Sequence, residues 1–147
     1  MSKIIFLDID GVLNDFKTIF ATGKDFPTRD HLDCLKQIVD ATGAEIVLSS
    51  SWRFYKSDLN DVKNALRNVN LKLLDVTKEL PKGRDAEIRE WLNRHSEVEN
   101  YVILDDHNDE VIKFSAELEK HLVLTASYTG LLPEHVEKAI EILNKTV

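Results

Sequence analysis

Two aspartates with one residue between them, Asp8 and Asp10, follow the apolar run Ile4-Ile5-Phe6-Leu7 and precede Gly11-Val12. On a strand, residues i and i+2 point to the same side, and a glycine directly after them permits a sharp turn. Both carboxylates can therefore face one pocket at the carboxyl edge of a sheet, where open α/β folds bind ligands. Like charges that close are unfavourable unless a cation or a shared proton relieves them. The pair suits chemistry on an anion held through a metal. One carboxylate can attack phosphorus to give an aspartyl-phosphate. The other can protonate the leaving oxygen and then activate water.

Three more polar clusters fall at strand ends or a helix start. Ser49-Ser50-Ser51-Trp52-Arg53 follows Ile46-Val47-Leu48, Lys82-Gly83-Arg84 precedes a helical pattern, and Asp105-Asp106 follows Tyr101-Val102-Ile103-Leu104. Hydroxyls, backbone N–H groups and cationic side chains can hold phosphoryl oxygens as charge redistributes. Mg²⁺ takes hard oxygen ligands, usually few carboxylates plus substrate phosphate and water.

These clusters converge only if the strands run parallel. Five apolar runs predict strands at Lys3–Leu7, Glu45–Leu48, Leu71–Leu74, Tyr101–Leu104 and His121–Leu124. Helical patterns lie between them. Thr28 is placed to cap a helix ending at Gly43, and Ser57 to cap one carrying Leu59, Val62 and Leu66. Ile88, Trp91, Leu92 and His95 follow i, i+3, i+4, i+7, Val111, Phe114 and Leu118 suggest a shorter helix, and Pro133 opens the last. Alternating strands and helices predict a parallel sheet with helices on both faces. The stretch Asn14 to Pro27 reads as an irregular loop, a candidate flap over the site.

With 147 residues, 43% of them hydrophobic, the chain suits one domain spanning residues 1–147. No transmembrane or secretory pattern is present, which places the expected location in the cytoplasm. A net charge of −7 argues against a broad electrostatic footprint for nucleic acid, though not against a local basic patch. The single cysteine, Cys34, excludes a disulfide framework and reads as a half-buried structural thiol.

The ordered motifs Asp8-Ile9-Asp10-Gly11-Val12, Val47-Leu48-Ser49, Arg84 with Lys82 as rival, and Leu104-Asp105-Asp106 resemble the haloacid dehalogenase (HAD) superfamily of phosphatases. The wording Ser-Ser-Ser-Trp-Arg, Arg-Asp-Ala-Glu-Ile-Arg-Glu-Trp-Leu and Thr-Gly-Leu-Leu resembles a narrower group, the HAD domains of Swiss Army knife RNA-repair proteins. The resemblance implies a three-layer Rossmann-like (HAD-like) domain with a mainly parallel five-stranded sheet. It also implies Mg²⁺-dependent phosphomonoester hydrolysis. Asp8 would be nucleophile and metal ligand. Asp10 would be general acid and base, with its backbone carbonyl on the metal. Ser49 would hydrogen-bond the phosphoryl group, and Arg84 or Lys82 would neutralise it. Asp105 would complete the metal site, and Asp106 would be a ligand through water or an orienter. An Arg in place of the commoner Lys exchanges a point charge for a planar fork.

Neither Gly11–Thr28 nor Asp75–Arg84 is long enough for a folded cap, so no large cap is expected. An open site suits a phosphate at the end of a large molecule, a nucleic-acid end among them. Small-molecule and nucleotide phosphatases, phosphotransferases and a non-catalytic phosphate-binding module remain alternatives on the same residues. Ser50, Arg53, Lys82 and Asn14 are the candidate substrate contacts. Each has a plainer reading: Ser50 as a cap, Arg53 as one half of an ion pair, Lys82 as a solvated charge and Asn14 as a turn residue. Trp52 reads as packing, Asp109 as a helix cap, His95 as half-buried structure and Thr129-Gly130 as a turn. His107, directly after the paired acids, is flagged for function. No membrane or obligate protein partner is expected.

Overall fold

The computed structural model describes residues 2–107 and 112–145. Five strands, β1 (Ser2–Leu7), β2 (Glu45–Leu48), β3 (Leu73–Val76), β4 (Val98–Asp105) and β5 (Leu122–Leu124), form one sheet in the order β3-β2-β1-β4-β5. Every pairing between them is parallel. The helices are α1 (Phe16–Thr22), α2 (Arg29–Thr42), α3 (Lys56–Arg67), α4 (Arg84–Asn93), α5 (Ala116–Glu119) and α6 (Pro133–Asn144).

Strand β1 is central, and its alternation explains the layers. Ile5 and Leu7 join a core with Leu35 and Ile38 of α2, Val62 and Leu66 of α3, and Ala139 and Leu143 of α6. Ile4 and Phe6 face the other way, onto Ile88 and Trp91 of α4 and onto Phe114 and Leu118. A strand covered on both faces needs a continuous apolar run rather than an alternating one, which is what Ile4-Ile5-Phe6-Leu7 supplies. The result is a three-layer α/β Rossmann-like arrangement. Among the described residues no helix is long and apolar enough to cross a membrane.

Several boundaries differ from expectation. Strand β3 starts at Leu73, because Asn70 takes a left-handed turn (φ 59°) after α3 and Leu71 then drops into the core, outside the ladder. Helix α3 begins at Lys56, with Tyr55 rather than Ser57 at its N-cap. Thr28 does precede α2 and Gly43 ends it, although the Thr28 side chain makes no capping bond. The expected loop between Asn14 and Pro27 contains α1, capped by the Asp15 carboxylate and ended by Gly23. None of its residues is buried, so no apolar stripe marks it in the sequence. The short helix expected from Val111 is the single turn α5, capped by Ser115. Val111 and Asp109 lie outside the described residues. Cys34 is buried rather than half-buried.

Candidate active site

The site is a row along the carboxyl edge of the sheet, made by register. Leu7 pairs with Leu48 on one side and Leu104 on the other. The residue after each therefore continues the ladder: Ser49 N–H donates to Leu7 O (2.8 Å), Asp8 N–H to Leu104 O (3.0 Å) and Thr125 N–H to Asp105 O (2.9 Å). Ser49, Asp8, Asp105 and Thr125 stand side by side. Strand order reverses between β1 and β4, the switch point where open α/β sheets bind ligands.

Asp8 is buried, with Oδ1 accepting from Ile9 N–H (2.9 Å) and Oδ2 from Arg84 Nη1 (3.2 Å). The same Arg84 nitrogen donates to Asp105 Oδ2 at 2.8 Å. Gly83, at φ 87°, sets the chain direction into α4, and Arg84 is the first residue of that helix. Of the two candidate cations, Arg84 is therefore the one at the carboxylates. Lys82 is exposed and has no hydrogen bond or ion pair among the described residues.

Asp106 is held from the loop after β5, where Ser127 Oγ donates to its Oδ2 (2.6 Å). Thr125 Oγ1 donates to the Gly11 carbonyl (2.7 Å), which ties that loop to the turn after β1. Gly11 is required there. It sits at φ 76°, and a Cβ would lie 1.9 Å from Asp106 Oδ2. Nδ1 of His107 lies 2.6 Å from Asp106 Oδ1, but the angles are wrong for a hydrogen bond, so both buried atoms lack a hydrogen-bond partner.

Asp8, Asp105, Asp106 and His107 each offer a ligand atom within 4.8 Å of the others. Burial, then Asp105, push the Asp8 carboxyl up to about 8, against the pull of Arg84. Asp105, ahead of Asp106, pushes the His107 imidazole up to about 9. At 3.6 Å the His107–Asp105 contact is an ion pair rather than a hydrogen bond. Burial works against the Arg84 charge, yet Asp8 and Asp105 together hold its pKa above the ordinary value. Three clustered carboxylates, Asp106 with an orphaned oxygen among them, fit a hard divalent cation. Ser49 Oγ is likewise buried without a hydrogen-bond partner, a hydroxyl in the row that a ligand oxygen can satisfy.

Asp10 is arranged differently. Its Oδ1 accepts from Asn14 Nδ2 (2.9 Å) and from Trp52 Nε1 (3.1 Å). Asn14 was expected to touch substrate. Instead its Oδ1 accepts from Gly11 N–H and its Nδ2 also donates to the Asp25 carbonyl, so the amide is spent on protein.

Arg53 likewise departs from the expected substrate contact. Its buried guanidinium reaches the Thr77 carbonyl (2.9 Å), the Ser50 carbonyl (2.6 Å) and Glu87 (2.9 Å). Ser50 Oγ accepts from Trp52 N–H and caps the 3-10 turn Ser51–Arg53, as the plainer reading had it.

Sequence reasoning missed the Trp52 indole, Glu87, Thr125 and Ser127. Only Thr125 carried a signal, as a polar residue at the end of a strand.

The model of the HAD domain in Swiss Army Knife RNA repair proteins matches residues 4–136. Comparison with curated proteins and comparison with solved structures each returned no match. The matched span takes in the whole row from Asp8 through Ser49 and Arg84 to Asp105 and Asp106, and the chain belongs to this family of HAD domains.

Proposed function

We propose that the protein is a Mg²⁺-dependent phosphomonoesterase that acts through an aspartyl-phosphate on Asp8. The observation that carries this reading is the pairing of a buried, unpartnered Ser49 hydroxyl with the Asp8–Arg84–Asp105 ion-pair row. Together these are a phosphoryl-oxygen donor, a cation and a nucleophile on one edge.

Asp8, Asp105 and Asp106 would hold Mg²⁺, which supplies charge neutralisation and orients the phosphoryl group. Ser49 and Arg84 bind phosphoryl oxygens. An Asp8 carboxylate oxygen forms a bond to phosphorus as the bond from phosphorus to the leaving oxygen breaks, and Asp10 gives that oxygen its proton. Asp10 then takes a proton from water, whose oxygen attacks phosphorus and releases Asp8 as phosphate departs.

The substrate we favour is a phosphorylated nucleic-acid end. Two facts support it: the family's members reside in RNA repair proteins, and the segment between β1 and α2 carries one short helix rather than a folded cap. Phosphate release from 3′-phosphorylated oligonucleotides and from mononucleotides, with Mg²⁺, tests both parts. Preference for the oligonucleotide is expected, with no turnover by Asp8→Asn. Preference for mononucleotides overturns the substrate assignment, and turnover by Asp8→Asn overturns the mechanism.

A further inference from the structure

The reading above gives Asp10 a proton to deliver and recover, and a carboxyl rotates freely about Cβ–Cγ unless something holds it. Here both known contacts fall on one oxygen. Oδ1 accepts from Asn14 Nδ2 at 2.9 Å and from Trp52 Nε1 at 3.1 Å. An indole N–H can only donate. The Asn14 amide cannot be flipped either, because its oxygen accepts from Gly11 N–H while its nitrogen serves the Asp25 carbonyl as well as Asp10. Two committed donors occupy Oδ1, so a proton on this carboxyl sits on Oδ2.

Trp52 is itself fixed. It is 7% exposed and lies on a 3-10 turn capped by Ser50. Arg53, the next residue, pins that turn to Glu87 and to the Thr77 and Ser50 carbonyls. The indole reaches Asp10 from 42 residues away as part of a buttressed turn.

We propose that Trp52 and Asn14 are positioning residues that hold Asp10 so that Oδ2 alone carries the proton exchanged with the leaving oxygen and with water. This rests on the phosphatase reading and adds the residues that orient its acid. The Oδ2 proton passes to the leaving oxygen as the phosphorus–oxygen bond breaks and the bond to Asp8 forms. It returns to Oδ2 from water in the second step. No other proton carrier is needed.

The test is kcat/KM across a series of aryl phosphates with Mg²⁺, from dinitrophenyl phosphate, whose leaving group needs no acid, to phenyl phosphate, whose leaving group does. For Trp52→Phe, which keeps an aromatic ring and loses the N–H, kcat/KM on phenyl phosphate should fall about tenfold to a hundredfold. On dinitrophenyl phosphate it should stay within about twofold. Asn14→Ser should steepen the same dependence, which keeps the inference exposed to test if Trp52→Phe fails to fold. Equal losses across the series, or none, would overturn the positioning role while leaving the phosphatase reading intact. Absence of turnover by the unsubstituted protein on every aryl ester and on the 3′-phosphorylated oligonucleotide would overturn both.

Discussion

Asp8 and Asp10 are two residues apart, yet they sit in unlike halves of the site. The Asp8 half is ionic: Arg84 bridges Asp8 and Asp105, and Asp106 and His107 stand beside them. The Asp10 half is neutral: its partners are an amide and an indole N–H. Ionic partners concentrate charge where a metal and a phosphoryl group would compensate it. Neutral donors fix a carboxyl's orientation without adding charge to it. Under the proposed mechanism, nucleophile and acid can be neighbours because what surrounds them differs in kind.

The largest expected effect breaks the ionic half at its centre. Asp8→Asn should lower phosphate release by more than about 10⁴-fold, measured under saturating Mg²⁺. Arg84→Met removes the one guanidinium there and should cost about 10²–10³ in kcat/KM. Lys82→Met should leave that value nearly unchanged, because Lys82 has no partner among the described residues.

The scaffold behind the neutral half is tested by stability instead. Arg53→Met strands the buried Glu87 carboxylate and should destabilise the fold by about 3–5 kcal/mol in urea unfolding. Adding Glu87→Met should recover most of that loss.

Metal and pH sharpen the contrast with smaller effects. Mg²⁺ should raise Tm progressively, by about 2.7 kcal/mol of stability at a hundredfold excess over Kd, and Asp106→Asn should weaken the rise. Without metal, the raised Asp8 carboxyl binds a proton that the unfolded chain has already lost. Its contribution is therefore full near pH 4 and disappears as pH rises towards about 8. His107 acts in the same direction, its contribution being complete below its ordinary pKa and lost as pH rises through about 9. Metal-free Tm should fall over that window, and Asp8→Asn should flatten the fall. A flat profile for the unsubstituted protein would show that the ionic half carries no such strain.

Much of this was legible in the residues. Strand and helix alternation is a local signal, short continuous apolar runs between stripes with a period of about 3.6, and it yielded the parallel sheet and five strands near their observed places. Helix α1 escaped because it is short and buries none of its residues, so periodicity had nothing to report. Strand β3 was displaced because Leu71 is apolar for the core and not for the ladder, and composition alone does not separate the two.

The sequence by itself determined which polar clusters end strands, and hence that Asp8, Ser49 and Asp105 would meet in a row. Parallel register carries that information outward from the apolar runs. Tertiary structure alone decided that Arg84 rather than Lys82 reaches the carboxylates, since the two differ only in the direction set by Gly83 and the first turn of α4. It also decided that the Arg53 guanidinium and the Asn14 amide hydrogen-bond within the protein, and that an indole from the turn after β2 donates to Asp10. Those contacts join residues far apart in the chain, and they depend on where each side chain points after packing, which no local pattern encodes.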